Sequence, residues 1–156
     1  MESSGPTSTD TPVSSGAHAQ TDRVVAAVTA VLLVVGMAIA YFTGGDTSTG
    51  EVIAFFVLTG LWLAAIAFLE LRQVPSWRAG TTAHAANIAL VLGVLAVITV
   101  VVFWTGLPFP LGAGAIMLGL SLRGPGPQVG GGGKATAAAA LGLLGIVASF
   151  VAMLAG

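Results

Sequence analysis

The chain has 156 residues, of which 56% are hydrophobic and only 7% charged. Soluble domains carry about 25% charged residues, so this composition excludes a water-soluble globule and makes the bilayer the natural solvent. The net charge of −1 gives no basic field for nucleic acid, and the lack of cysteine excludes disulfides, thiolate chemistry and Cys-based metal sites.

Residues 1–22 (MESSGPTSTDTPVSSGAHAQTD) are rich in Ser, Thr, Pro and Gly and almost free of large apolar groups. Such a segment does not offset the entropy of ordering, so it is expected to be a disordered tail, with 23–156 forming the membrane part. The first apolar run, 24–42, matches the ~20 residues needed to cross a ~30 Å hydrocarbon core at ~1.5 Å per residue. It is too long for a signal-peptide core and lacks an A-x-A-like exit, so it is expected to be retained as a span. Tyr41 and Phe42 mark its exit, and Tyr favours the membrane interface.

The second span is expected at 52–71, with Glu51 at its outer start and Glu70 at its inner end. The link QVPSWRAG comes next, with Pro75 expected as a helix breaker and Trp77 as an interfacial anchor. Trp62 falls near the middle of this span, where its ring N–H has few partners in lipid. It either packs against a neighbouring helix or faces lipid; a ligand pocket is the less favoured alternative. The third span is expected at 83–103. Its first turns carry His84 and Asn87, three apart and therefore on one helical face.

The fourth span, 107–122, is short: about 16 residues, or about 24 Å of helix. Pro108 and Pro110 fit its first turn, where a missing N–H costs little. It either crosses a thinned bilayer or dips and returns. Crossing is preferred, because a return would leave Arg123 and Lys134 outside, against the positive-inside bias. The link GPGPQVGGGG, 124–133, reads as flexible or irregular. Its GGGGK run is no phosphate loop, since Gln128 and Ala135 stand where that motif needs Gly and Ser or Thr. The last span is expected at 135–155.

All five basic residues, Arg23, Arg72, Arg78, Arg123 and Lys134, then fall on one side. The expected fold is all-α: a polytopic transmembrane helical bundle of five spans, with the N-terminus cytoplasmic and the C-terminus outside. The Ala, Val and Gly bias with a single Lys suggests a bacterium with a GC-rich genome. That places the chain in a plasma (inner) membrane as a multi-pass protein.

Small residues let helices approach closely in lipid. Ala115 and Gly119 are four apart beside Gly112; Ala138 and Gly142 are four apart with Gly145 nearby. These six residues are the expected packing face, joining spans 4 and 5 or two subunits. Spans 1 to 3 carry one Gly each (Gly36, Gly60, Gly93) and read as more lipid-facing.

No span carries an ionisable residue near its middle, which is the usual mark of an ion or proton path. The deep hydroxyls are those of Thr29, Thr59, Thr99 and Ser149, which can bond their own helix carbonyls. One polar cluster is expected at the cytoplasmic ends of spans 2 and 3: Glu70, Arg72, Arg78, His84 and Asn87. Glu70 is expected near His84 or paired with Arg72 or Arg78. Interfacial anchoring is the favoured role, and a proton-sensitive gate or a lipid-headgroup site the sharper one. Ser76, His84 and Glu70 form only a formal catalytic trio, and no cofactor or metal is expected.

Three functions remain open, in order of weight. The first is a non-catalytic accessory or scaffold subunit of a larger or homo-oligomeric membrane complex. The second is a small transporter or channel protomer, and the third a binder of lipid or a hydrophobic ligand. The expected partners are membrane lipids and either a membrane protein or further copies of the chain.

Overall fold

The computed structural model describes residues 14–43, 48–123 and 132–155, with side chains from residue 19 onward. The first half of the expected tail, Asp46 and most of the glycine-rich link lie outside the described residues.

Helix α1 runs Ser14–Phe42. Residues 14–22, expected in the tail, are therefore helical. The physical reason is visible on one face: Asp22, Ala26, Thr29, Leu33 and Met37 recur at helical spacing, and all are buried. The packing stripe of α1 thus extends past its apolar run.

Helix α2, Thr49–Phe68, starts with a capping box. Ser48 Oγ accepts from the Glu51 N–H at 3.3 Å, and Glu51 Oε2 accepts from the Ser48 N–H at 2.7 Å. The chain does not break at Pro75, contrary to expectation. It passes through a π-helical turn, Leu69–Gln73, into α3, Val74–Arg78, giving one apolar helical run over Thr49–Arg78. Proline has no N–H to donate one turn back. The wider turn, closed by the Val74 N–H to the Leu69 carbonyl, absorbs the defect just ahead of it.

Helix α4, Thr82–Ile98, is capped by Thr81, whose Oγ1 accepts from the His84 N–H at 3.3 Å. Tighter 3-10 turns continue it over Thr99–Thr105, with a kink at Val102. Gly106 then turns the chain at φ 75°, a left-handed conformation. A Cβ there would lie 2.8 Å from Trp62 Cδ1 and 3.0 Å from Leu33 Cδ1, so glycine serves both the turn and the close approach. Trp62 packs here, and its indole N–H donates to the Thr105 carbonyl. Of the readings open for Trp62, the structure shows packing against a neighbouring helix.

Helix α5, Pro108–Ser121, occupies the centre and touches α1, α2, α4 and α6. Phe109, Ala113, Ala115, Met117 and Leu118 are wholly buried. Helix α6, Gly132–Ala155, closes the bundle. Four of the helical runs (Ala19–Phe42, Thr49–Arg78, Thr82–Thr105 and Gly132–Ala155) are long and apolar enough to cross a membrane. At 14 residues, α5 is shorter, about 21 Å by its rise.

Close contacts fix the helix directions. On α5, Gly112 abuts the Gly142 carbonyl and Gly119 the Ala135 carbonyl, so α5 runs antiparallel to α6. Gly93 faces Ala138 and Gly145 faces Ala96, so α4 and α6 are parallel. Gly36 of α1 meets Phe150 and Met153, near the end of α6. Phe55 of α2 meets Tyr41 and Phe42 edge-on at the far end of α1. The directions therefore alternate along the chain, and Arg23, Arg72, Arg78, Arg123 and Lys134 gather at one end.

Of the deep hydroxyls, Thr99 Oγ1 donates to the Leu95 carbonyl at 2.8 Å. Thr59 Oγ1 and Ser149 Oγ are buried without a partner, so those two do not make the bond to their own helix that is open to them.

Candidate functional site

The charged end of the bundle is organised by Arg78, the last residue of α3. The π turn holds one residue more than an α turn would, which rotates the next residues about the helix axis by about 100°. Arg78 reaches across to α1 and α5. Its Nη1 donates to Asp22 Oδ2 at 2.6 Å and its Nη2 to Asp22 Oδ1 at 2.7 Å, a two-pronged pair. The same Nη2 donates to the Met117 carbonyl at 3.1 Å. One guanidinium thus ties α1, α3 and α5, as a planar fork with fixed donors can and an ammonium cannot. Its Nε is buried without a partner. Asp22 is only 6% exposed. Removing one charge from so enclosed a pair strands the other, which costs far more than the pair's net contribution.

Beside this pair lies a cavity of about 460 Å³. Its charged lining is Asp22 and Arg23 from α1, Glu70 from the π turn, and Arg78. Arg23 and Glu70 also line a second, more apolar groove of about 310 Å³ between α1 and α2, walled by Ala26, Ala27, Ala30, Leu63, Ile66 and Ala67. The two spaces share Arg23 and Glu70, so they adjoin. Among the described residues, neither Arg23 nor Glu70 has a hydrogen-bond or ion-pair partner.

The expected five-residue cluster is divided by the structure. Glu70 and Arg78 share the cavity, but Arg78 pairs with Asp22 rather than with Glu70. His84 is exposed on the first turn of α4, and no hydrogen bond or ion pair joins it to Glu70. Glu70 lines the cavity and His84 does not. Arg72 is exposed. Asn87 Oδ1 accepts from Lys134 Nζ at 2.9 Å, tying α4 to α6, and Arg123 Nε donates to Thr136 Oγ1 at 3.2 Å. Ser76 is turned back on its own helix, its hydroxyl donating to the Gln73 carbonyl at 2.8 Å, so the formal trio is not assembled. Among the described residues no three His, Cys, Asp or Glu side chains cluster for a metal.

The six small residues serve two contacts. Gly112, Ala115 and Gly119 of α5 meet Ala135, Ala139 and Gly142 of α6. Ala138 and Gly145 instead face Gly93 and Ala96 of α4. Asp22, Arg23 and Lys134 belong to the charged end although the expected polar cluster did not include them. Asp22 was detectable: counting back from Leu33 through Thr29 and Ala26 lands on it.

Long apolar helices around a buried apolar centre define a small all-α membrane protein. The chain matches no protein-family model, no curated protein and no solved structure.

Proposed function

We propose that the protein is a non-catalytic accessory or scaffold subunit of a larger or homo-oligomeric membrane complex. In this reading it lies in the plasma (inner) membrane, crosses five times, and keeps its N-terminus cytoplasmic and its C-terminus outside. One observation carries the proposal: α5 fills the middle of the bundle with wholly buried apolar side chains and glycine backbone. A transporter or channel protomer needs a polar path there, with ionisable groups facing it. The charged groups instead sit at the two ends, with Asp22, Glu70 and the basic residues at one and Glu51 capping α2 at the other. The alternating helix directions and the gathering of the basic residues favour five crossings with the basic end cytoplasmic. Large apolar side chains stand outward on α2, including Ile53, Phe56, Val57 and Leu61, and such a face suits lipid or a partner helix.

Native mass spectrometry of the protein, gently extracted from its own membrane, tests the role. A stoichiometric hetero-complex or a defined homo-oligomer is expected; a lone monomer overturns the proposal. The orientation has a separate test, because the chain has no cysteine of its own. In a Gln128→Cys variant, an impermeant thiol reagent added to intact cells is expected to leave the cysteine unmodified. Labelling from outside overturns the orientation.

A further inference from the structure

We propose that the charged cavity and the groove beside it bind one phospholipid whose head carries a phosphate and a primary ammonium. This inference needs the membrane setting but not the accessory role.

Four charged side chains line the cavity: Asp22, Arg23, Glu70 and Arg78. Asp22 and Arg78 neutralise each other through two short hydrogen bonds, with only the Arg78 Nε left without a partner. That leaves one cation, Arg23, and one anion, Glu70, with no partner among the described residues. They come from different helices and face the same space. A head with one negative and one positive group answers both charges at once. A purely anionic head leaves Glu70 uncompensated and repelled. The guanidinium of Arg23 offers several donors to phosphate oxygens. Glu70 accepts hydrogen bonds, which a primary ammonium supplies and a quaternary one does not. Quaternary heads are instead held by aromatic faces, and no aromatic residue lines either space.

The second observation is the shape. The cavity adjoins a groove between α1 and α2 whose small walls, Ala26, Ala27, Ala30 and Ala67, leave room alongside Leu63 and Ile66. It leads from the charged end along helices long enough to span the membrane. A charged recess beside an open apolar groove fits an amphiphile, and each space lies within the usual range for small-molecule sites. The location also suits a lipid: the basic end of a membrane bundle sits at the headgroup level.

The test uses the full chain reconstituted in nanodiscs holding equal amounts of phosphatidylethanolamine, phosphatidylcholine and phosphatidylglycerol, read by native mass spectrometry. The wild type is expected to retain one phosphatidylethanolamine, favoured over each of the others by about fivefold, the worth of one interfacial charge contact. Glu70→Gln is expected to erase the preference over phosphatidylcholine while retention of lipid persists. Arg23→Gln is expected to lower retention of all three. Ala67→Leu, which fills the groove and leaves the charges, is expected to lower retention of phosphatidylethanolamine. Each variant is checked for wild-type helicity and thermal midpoint; a variant that fails this check is replaced by Glu70→Asp or Arg23→Lys, expected to keep most of the preference. Equal retention of the three lipids by the wild type overturns the proposal. So does an unchanged preference in folded Glu70→Gln, or a preference for phosphatidylglycerol.

Discussion

The two halves of the bundle are held by different means. Helices α4, α5 and α6 meet backbone to backbone. A Cβ at Gly119 would sit 2.6 Å from the Ala135 carbonyl, and one at Gly112 2.7 Å from the Gly142 carbonyl. Helices α1 and α2 meet through side chains and leave space between them. Rings of Tyr41, Phe42 and Phe55 hold one end, and the Asp22–Arg78 pair ties the other through α3. Lipid offers no hydrophobic drive for helix association, so intimate packing is the main source of cohesion. The α4–α5–α6 group has that packing. The α1–α2 pair lacks it near the charged end, and there the cavity and groove open. A region that gives up close contact can admit another molecule, and it depends on a few specific ties.

The largest effect expected from this contrast is at the glycines. Gly119→Leu pushes a branched side chain into the α6 backbone, and overpacking of this kind costs about 3 kcal/mol or more. Gly60 lies in α2 with nothing within 4 Å of its missing Cβ. Gly60→Leu is therefore expected to stay within about 0.5 kcal/mol of wild type. Unfolding titrations in mixed micelles compare the two; equal losses break the distinction between the halves. Next comes the tie at the charged end. Arg78→Ala leaves Asp22 enclosed without its partner and is expected to cost about 3 kcal/mol, the low end for a buried pair because Arg78 is partly exposed. Adding Asp22→Ala removes the stranded charge and is expected to restore much of the loss. If the double variant is as unstable as Arg78→Ala, the ion pair is not what ties α1 to α3 and α5.

Much of the fold was legible because it follows from length and hydropathy. The apolar runs fell close to the observed helices, and the small residues at 112, 115, 119 and 142 fell on the α5–α6 contact. Two features were not legible, for physical reasons. Pro75 reads as a breaker because an α-helix cannot accommodate it freely; a π turn accommodates it, and no local residue pattern announces that turn. Asp22 reads as tail because hydropathy weighs a carboxylate as solvated, whereas a partner from fifty-six residues away cancels that preference. Glu70 and His84 share no hydrogen bond or ion pair, and Arg78, which lies between them in sequence, bonds Asp22 of α1 and the Met117 carbonyl of α5. The split of Ala138 and Gly145 toward α4 was hidden because one helix can present small residues on two faces.

The smaller effects test the turn that joins the halves. Gly106 stands at positive φ with Trp62 and Leu33 against it. Gly106→Ala is expected to cost about 1–2 kcal/mol from the left-handed backbone alone, read as a lowered thermal midpoint. Of comparable size is Trp62→Phe, which keeps an aromatic ring but removes the N–H donated to the Thr105 carbonyl. Side-chain hydrogen bonds inside membrane bundles average about 0.6 kcal/mol and reach about 1.7. The upper part of that range is expected, because the kink at Val102 and the turn at Gly106 take Thr105 out of regular helix and limit the other donors its carbonyl can meet. Trp62 belongs to α2 and Thr105 to the run that leads into α5, so this bond is a directional tie between the loosely joined half and the glycine-packed one. A loss near zero in Trp62→Phe means that ring packing alone joins them. In that case Trp62→Ala, which removes the ring, must lower stability well beyond Trp62→Phe, or the junction depends on Gly106 and Leu33 instead.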